Sequence, residues 1–453
     1  MVDFQEKRTI FAAWTTRLGG WVSLAMLASL LSFRQLAFGG QMLLGLLAVL
    51  ALLTTGFERW RSKIPPGTGL TVTVFLAVFI FNAVLSVNPL QSVSSWPFFF
   101  WLILSLPIGL AFVDTQPVRR WGIYALMAGT GIGFLSLLLD LWQNPDDWRP
   151  GGSLGNINYG AVVSLALPFL LAHLLNLLGR PGDLGGRNGR RLATALIIAV
   201  NSCVLGLLLN GTRIGIIAAA VTTAFLAVSY GRRLSLRAVC AILTLVLAAA
   251  LMFIGRPQTF SRVASLAEFN TFGPTMTTEL PAYEPGVGPM APPQVTEPYS
   301  DDPVMSASIH STRLRLEMWR RALLLIREHP FFGQGFRTIV NAPEAASGFH
   351  PRDGGRLSFH NTYLQFAAET GILGLLALLG LFLPGLRLAL KRFNDPDPDI
   401  GMWSRIAIAL PLALGIIAAT DNILGIRLAL YLYGLLTAWA WTRLSPTTSE
   451  PGS

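Results

Sequence analysis

Apolar runs of about 20 residues, the length a helix needs to cross the hydrocarbon of a bilayer, recur along the whole chain. They fall near 18–34, 40–56, 70–86, 96–113, 121–141, 159–178, 192–209, 213–230, 237–254, 361–384, 404–420 and 423–442. Inside a bilayer the backbone must satisfy its own hydrogen bonds, which leaves helices and closed barrels as the only spanning structures. Runs of this length are helical, so the sequence predicts an all-α polytopic membrane protein with about twelve transmembrane helices. The composition agrees: 52% of the residues are hydrophobic and only 13% charged, and the mean hydropathy is +0.54, beyond the range of soluble domains. The first run follows Lys7 and Arg8 with no small-residue cleavage site after it, and reads as an uncleaved anchor.

Orientation follows from the basic residues, because short loops rich in Lys and Arg stay cytoplasmic. With the N-terminus inside, twenty of the 34 fall in cytoplasmic segments and four in short external loops (Arg34, Arg149, Arg213 and Arg427), with ten in the long segment 255–359. Both termini are then cytoplasmic and the long loop between spans nine and ten is external. This divides the chain into spans one to nine (1–254), an external loop (255–360), spans ten to twelve (361–443) and a cytoplasmic tail (444–453). The net charge of +10 is mostly this topology signal, so nucleic acid is not an expected partner and membrane lipids are. Cys203 and Cys240 both lie in apolar runs and offer neither a disulfide framework nor a metal site.

The polar residues concentrate at the external face. Asp140 and the Asp146-Asp147-Trp148-Arg149 loop read as a solvated loop. Asn156 or Asn158 is expected to cap the sixth span, with an amide lining an external cavity as the alternative. His173 in the same span is an interior, hydrogen-bonded histidine. Asn210-Gly211-Thr212-Arg213 forms a short external turn, where Arg213 could snorkel to lipid phosphates or serve a site. Asp421 and Asn422, between the last two spans, either line the site or cap helices, with capping the favoured expectation.

The long external segment has two parts. Residues 273–303 hold eight prolines and several carboxylates, a composition expected of a mobile loop. From Ser311 an amphipathic helix begins, with Leu314, Met318, Ala322 and Leu325 at helical spacing, ended by His329-Pro330. It could lie on the membrane with its arginines among the headgroups. Four of the five histidines (His310, His329, His350 and His360) share this interval with Arg313, Arg315, Arg320, Arg321 and Arg327. Histidine changes charge near neutral pH and arginine forks onto phosphate oxygens, so the set suits chemistry on a phosphate-bearing lipid.

Three local patterns occur in order: Gly211-Thr212-Arg213; Arg315-Leu316-Glu317-Met318-Trp319 with His329-Pro330-Phe331-Phe332-Gly333-Gln334-Gly335; and His360-Asn361-Thr362-Tyr363-Leu364 with Glu369-Thr370-Gly371 and Gly374-Leu375. Together they resemble the O-antigen ligase family, which includes O-antigen polymerases and bacterial O-linked oligosaccharyltransferases, over roughly residues 150–385. The resemblance implies a GT-C-type membrane glycosyltransferase of the bacterial inner membrane with a periplasmic active site. It further implies transfer of a glycan from undecaprenyl diphosphate to a lipid A-core sugar, without metal or other cofactor. By position, His360 matches the family's essential histidine, and Arg213 and Arg315 its diphosphate-binding arginines. Tyr363, Asn361 and Glu369 match motif positions whose roles are packing or capping. His350 is a local competitor for the catalytic place.

These residue types fit the reaction. A glycan diphosphate is already activated, so arginines can stabilise the leaving group and a neutral histidine can accept the acceptor's proton. A polymerase would use the same groups with the growing glycan as acceptor. A lipid-linked glycan transporter is the rival of another class, and it would be expected to carry midplane charges and internal repeats instead.

Overall fold

The computed structural model describes residues 2–29, 34–55, 61–95, 97–144, 150–231 except 181, 183 and 185, 303–338 and 358–445. The described residues are helical apart from turns and short connections, with no strand among them. In chain order the helices are α1 (Val2–Ser29), α2 (Arg34–Thr55), α3 (Thr68–Leu85), α4 (Pro89–Ser94), α5 (Pro97–Phe112), α6 (Gln116–Gln143) and α7 (Asn156–Leu178). They continue with α8 (Arg187–Asn210), α9 (Arg213–Tyr230), α10 (Pro303–Glu328), α11 (Thr362–Gly380), α12 (Leu383–Lys391), α13 (Pro398–Ala418) and α14 (Arg427–Leu444).

Seven described segments are long and apolar enough to cross a membrane: α3, α6, α7, α8, α9, the α11–α12 stretch and α13. The chain is therefore a polytopic membrane protein. Helices also cover the expected runs near 18–34, 40–56, 96–113 and 423–442: α1 and α14 are less apolar, α5 has 16 residues, and α2 contains the apolar stretch Gly39–Thr54. In α14 the reason is visible: Arg427, Arg443 and several Tyr and Trp residues lower its hydropathy, yet every residue from Leu428 to Trp441 is buried. The run at 237–254 and the proline-rich stretch 273–302 lie outside the described residues.

At the centre stands α7, buried from Tyr159 to Leu175 and packed by α8, α9, α13 and α14. Its His173 is interior as expected, with Nδ1 2.8 Å from the Phe169 carbonyl and its ring against Phe169 and Trp403. Small residues let helices approach closely, as membrane packing favours: Gly109 of α5 faces Ala438 of α14, and Gly434 of α14 faces Ser105.

The pair α9–α13 is pinned by Arg405, a buried cation that satisfies itself on backbone. Its Nε and Nη2 donate to the Ser229 carbonyl at 3.2 and 3.0 Å, its Nη1 to Gly401 at 2.8 Å, and it lies over the Tyr230 and Phe393 rings. From this tie, sixteen residues back along α9 reach Arg213, and thirteen forward along α13 reach Ala418, three residues before Asp421. At 1.5 Å per residue these helical paths are about 24 and 20 Å, which brings Arg213 and Asp421 to the same end of the bundle.

The expected span 361–384 is not one continuous helix. Gly371 inside α11 has φ 70° and ψ −179°, a conformation open essentially to glycine alone. The break frees carbonyls, and the segment after α10 fills it: Gln334 and Gly335 N–H donate to the Ala368 and Glu369 carbonyls at 3.1 and 2.8 Å, while Ile372 N–H donates to Pro330 at 2.8 Å. A Cβ on Gly371 would stand 2.0 Å from the Phe331 oxygen, and one on Gly335, φ 113°, 1.8 Å from Ser86 Oγ. Asn82 of α3 completes the joint, donating to the Phe332 and Glu369 carbonyls and accepting from Phe336 N–H. Phe79 and Phe336 pack edge to face beside it.

The amphipathic helix begins at Pro303, earlier than its pattern predicts, and ends before His329-Pro330 as expected. Its Ala322 and Leu325 are buried with Phe359 and Ala368, and Met318 and Leu364 pack around them. This face is therefore spent on α11, whereas Leu323, Leu324 and Phe331 remain exposed.

Candidate active site

His360 occupies the turn that opens α11. The turn is built by its neighbours: Asn361 caps α11, its Oδ1 accepting from Leu364 N–H at 3.0 Å. Tyr363 OH donates to the Gly415 carbonyl at 2.9 Å. Thr362 Oγ1 donates to the Asp421 carbonyl at 2.8 Å and accepts from Ile423 N–H at 2.9 Å. These bonds clamp the start of α11 against the end of α13. Asn361 thus caps α11, and Tyr363 ties it to α13.

His360 itself has φ 48°, the left-handed region that non-glycine residues enter at a cost and that clusters at functional sites. Its side chain is about a quarter exposed, and Nδ1 lies 3.4 Å from Asp421 Oδ1, a carboxylate that is itself mostly covered. Of the two roles the sequence left open for Asp421 and Asn422, the favoured one, side-chain capping, is not the one observed. The Asp421 carboxylate faces His360, and Asn422 precedes a short 3-10 turn without a side-chain capping bond.

Behind the turn runs a buried polar pair. Gln365 Oε1 accepts from Phe359 N–H at 2.8 Å, and its Nε2 donates to Glu369 Oε1 at 2.5 Å. Glu369 is 3% exposed, so it supports the His360 turn from inside. From α10, Trp319 Nε1 donates to the Phe359 carbonyl at 2.9 Å. Arg315, one helical turn before Trp319, is partly buried and on the same face. The first residues of the second motif thereby reach the histidine turn of the third.

Arg213 opens α9, partly exposed, after a turn tied down by Asn210, whose Nδ2 donates to the Pro150 carbonyl at 2.8 Å. Thr212 Oγ1 donates to Asn210 Oδ1 and packs against Gly160 of α7. Asn158 does not cap α7. The N-cap is Gly155, with no side-chain bond there, and Asn158 Nδ2 donates to the Leu154 carbonyl at 3.1 Å. Asp140 is more than a solvated carboxylate: its Oδ2 accepts from both Gly151 and Gly152 N–H at 2.9 Å and so shapes the entry to α7. Residues 145–149 and His350 lie outside the described residues. Among the described residues no group of three or more His, Cys, Asp and Glu is arranged to hold a metal ion.

This end of the bundle thus holds the His360–Asp421 pair, with Trp319 of α10 bonded to the turn, Arg315 one helical turn from Trp319, and Arg213 at the start of α9. The arrangement can move a proton at the histidine and neutralise an anion at the arginines. For Asp421 the sequence left lining the site and capping a helix both open and favoured the cap. Its one signal was an acidic side chain between two apolar runs. Residues 195–379 match the protein-family model described as O-antigen ligase. No curated protein matches the chain significantly. The matched stretch contains Arg213, Arg315, His360, Asn361, Tyr363 and Glu369, and leaves out Asn158 and Asp421.

Proposed function

We propose, from the match of residues 195–379 to the O-antigen ligase family model, that this multi-pass bacterial membrane protein transfers a glycan from undecaprenyl diphosphate to a sugar hydroxyl of the lipid A core. In this reading it is a GT-C-type enzyme of about twelve spans in the inner membrane, with both termini cytoplasmic and His360 periplasmic. The observation that carries the reading is the setting of His360. It lies within the matched stretch, in left-handed backbone, with Nδ1 turned to Asp421.

The chemistry follows from that setting. With Nδ1–H held by Asp421, Nε2 is the ring nitrogen left for the acceptor hydroxyl. The acceptor oxygen attacks the anomeric carbon as its proton passes to Nε2. The bond from that carbon to the diphosphate breaks, and its electron pair leaves on the diphosphate oxygen. Arg213 and Arg315 stabilise the charge growing there. A contact of 3.4 Å is long for a catalytic hydrogen bond, as is common before substrate closes a site. Displacement in one step inverts the anomeric configuration.

The test is glycan transfer by purified protein supplied with undecaprenyl-diphosphate glycan and lipid A core. Transfer to the lipid that is lost in His360→Ala and kept in His350→Ala supports the reading. Full activity of His360→Ala, or retention of anomeric configuration, would overturn the mechanism. Extension of the donor glycan with the lipid left untouched would make the protein a polymerase.

A further inference from the structure

At the end of the bundle opposite His360 lies an open cavity of about 870 Å³, within the size range of ligand sites. Its walls are apolar, formed among others by Leu106 and Leu110 of α5, Phe382, Leu386 of α12, Pro411 of α13 and Trp441 of α14. Its rim is the 61–69 turn that leads into α3, and Arg61 stands on it.

The charges at that rim are uneven. Lys63 Nζ is 3.1 Å from Asp114 Oδ2, and Arg119 Nε is 3.4 Å from the same carboxylate, so these two cations share a counter-ion. Arg61 is exposed and has no carboxylate partner among the described residues. The first turn of α3 opens beside it without a side-chain cap, adding the partial positive charge of a helix start.

We propose that this cavity binds an anionic glycerophospholipid, with an acyl chain between α5, α13 and α14 and the headgroup phosphate on Arg61. The apolar walls account for the chain, and the Arg61 guanidinium, which has no carboxylate partner among the described residues, accounts for the anion at the level where α3 begins. A polyprenyl donor fits less well. In the transfer reaction its diphosphate lies at the His360 end, and a tail reaching this cavity would leave Arg61 unmatched. The site stands independently of the transfer reaction, since none of its residues contributes to the His360 turn.

The full chain, purified in detergent and equilibrated with phosphatidylglycerol or phosphatidylcholine, is examined by native mass spectrometry. The expected result is one phosphatidylglycerol retained per chain. Arg61→Ala lowers the preference for phosphatidylglycerol over phosphatidylcholine by about fivefold, the worth of one basic residue near anionic lipid. Thr73→Trp, at an exposed position on the cavity wall, reduces retention of both lipids. Both substitutions are at exposed side chains, and elution as an unaggregated species confirms folding. No retained phospholipid in the wild type, retention unchanged in both variants, or displacement by equimolar undecaprenyl phosphate would overturn the proposal. A wild type and a transfer-dead His360→Ala that retain lipid equally would support it and separate it from the fate of the transfer reading.

Discussion

His360 Nδ1 and Asp421 Oδ1 lie 3.4 Å apart although 61 residues separate them in the chain, and the pair is held by Thr362, which bonds to the Asp421 carbonyl and to Ile423 N–H on either side of Asn422. If Asp421 works by orienting the imidazole, its loss and the loss of His360 are not independent. His360→Ala is expected to lower transfer by about 10²–10⁴, and Asp421→Asn by a smaller factor, on the order of tenfold to a hundredfold. The double variant should be no slower than His360→Ala alone. A double-mutant cycle on the transfer rate checks this; losses that multiply would mean the two groups act separately.

The left-handed backbone at His360 has its own consequence. Glycine enters that region freely, so His360→Gly should be more stable than His360→Ala, by about 1 kcal/mol, while both are inactive. Thermal unfolding of the two variants in the same detergent measures the difference. Equal stability would show that the φ of 48° carries no strain.

The helix break makes a sharper forecast. Gly371→Ala forces a side chain into a conformation reserved for glycine and against the Phe331 carbonyl, and should cost about 3 kcal/mol or more. Gly380→Ala, on the same helix with open space around it, should be neutral or slightly stabilising. Unfolding midpoints of the two alanine variants compare them directly, and similar values would mean that the joint contributes little.

Gln365→Leu removes the side-chain acceptor of Phe359 N–H, at a cost of about 1–3 kcal/mol, and takes one hydrogen bond from Glu369. Glu369→Gln keeps a side-chain oxygen for Gln365 to donate to and should be milder. Both the unfolding midpoint and the transfer rate should fall further for Gln365→Leu, because Phe359 immediately precedes the histidine.

The parts legible in the sequence are those whose signal is local. Apolar runs mark helices because a bilayer demands length and backbone self-sufficiency, and Asn361 reads as a cap because capping spans only three residues. The role of Asp421 was not legible, since nothing near it in the chain announces a partner 61 positions away. Gly371 was hidden for a different reason. It stands in an otherwise apolar run that reads as one span, and only the arrival of Pro330 to Gly335 shows that its carbonyls are used elsewhere. Arg315 was singled out from its motif, but its route to the site through Trp319 and Phe359 is a matter of packing.

The joint at Asn82 also bears on how the protein is made. The amide of Asn82 is 1% exposed, and its two carbonyl partners come 250 and 287 residues later. At a synthesis rate of about 5–20 residues per second, α3 must wait roughly 15–60 s in the bilayer before those partners leave the ribosome. During that interval a polar amide has only lipid, water at the interface or a neighbouring helix to turn to. The early half of the protein therefore cannot reach its final packing while it is being inserted, and a factor that shields nascent spans would have the Asn82 amide of α3 to cover until then.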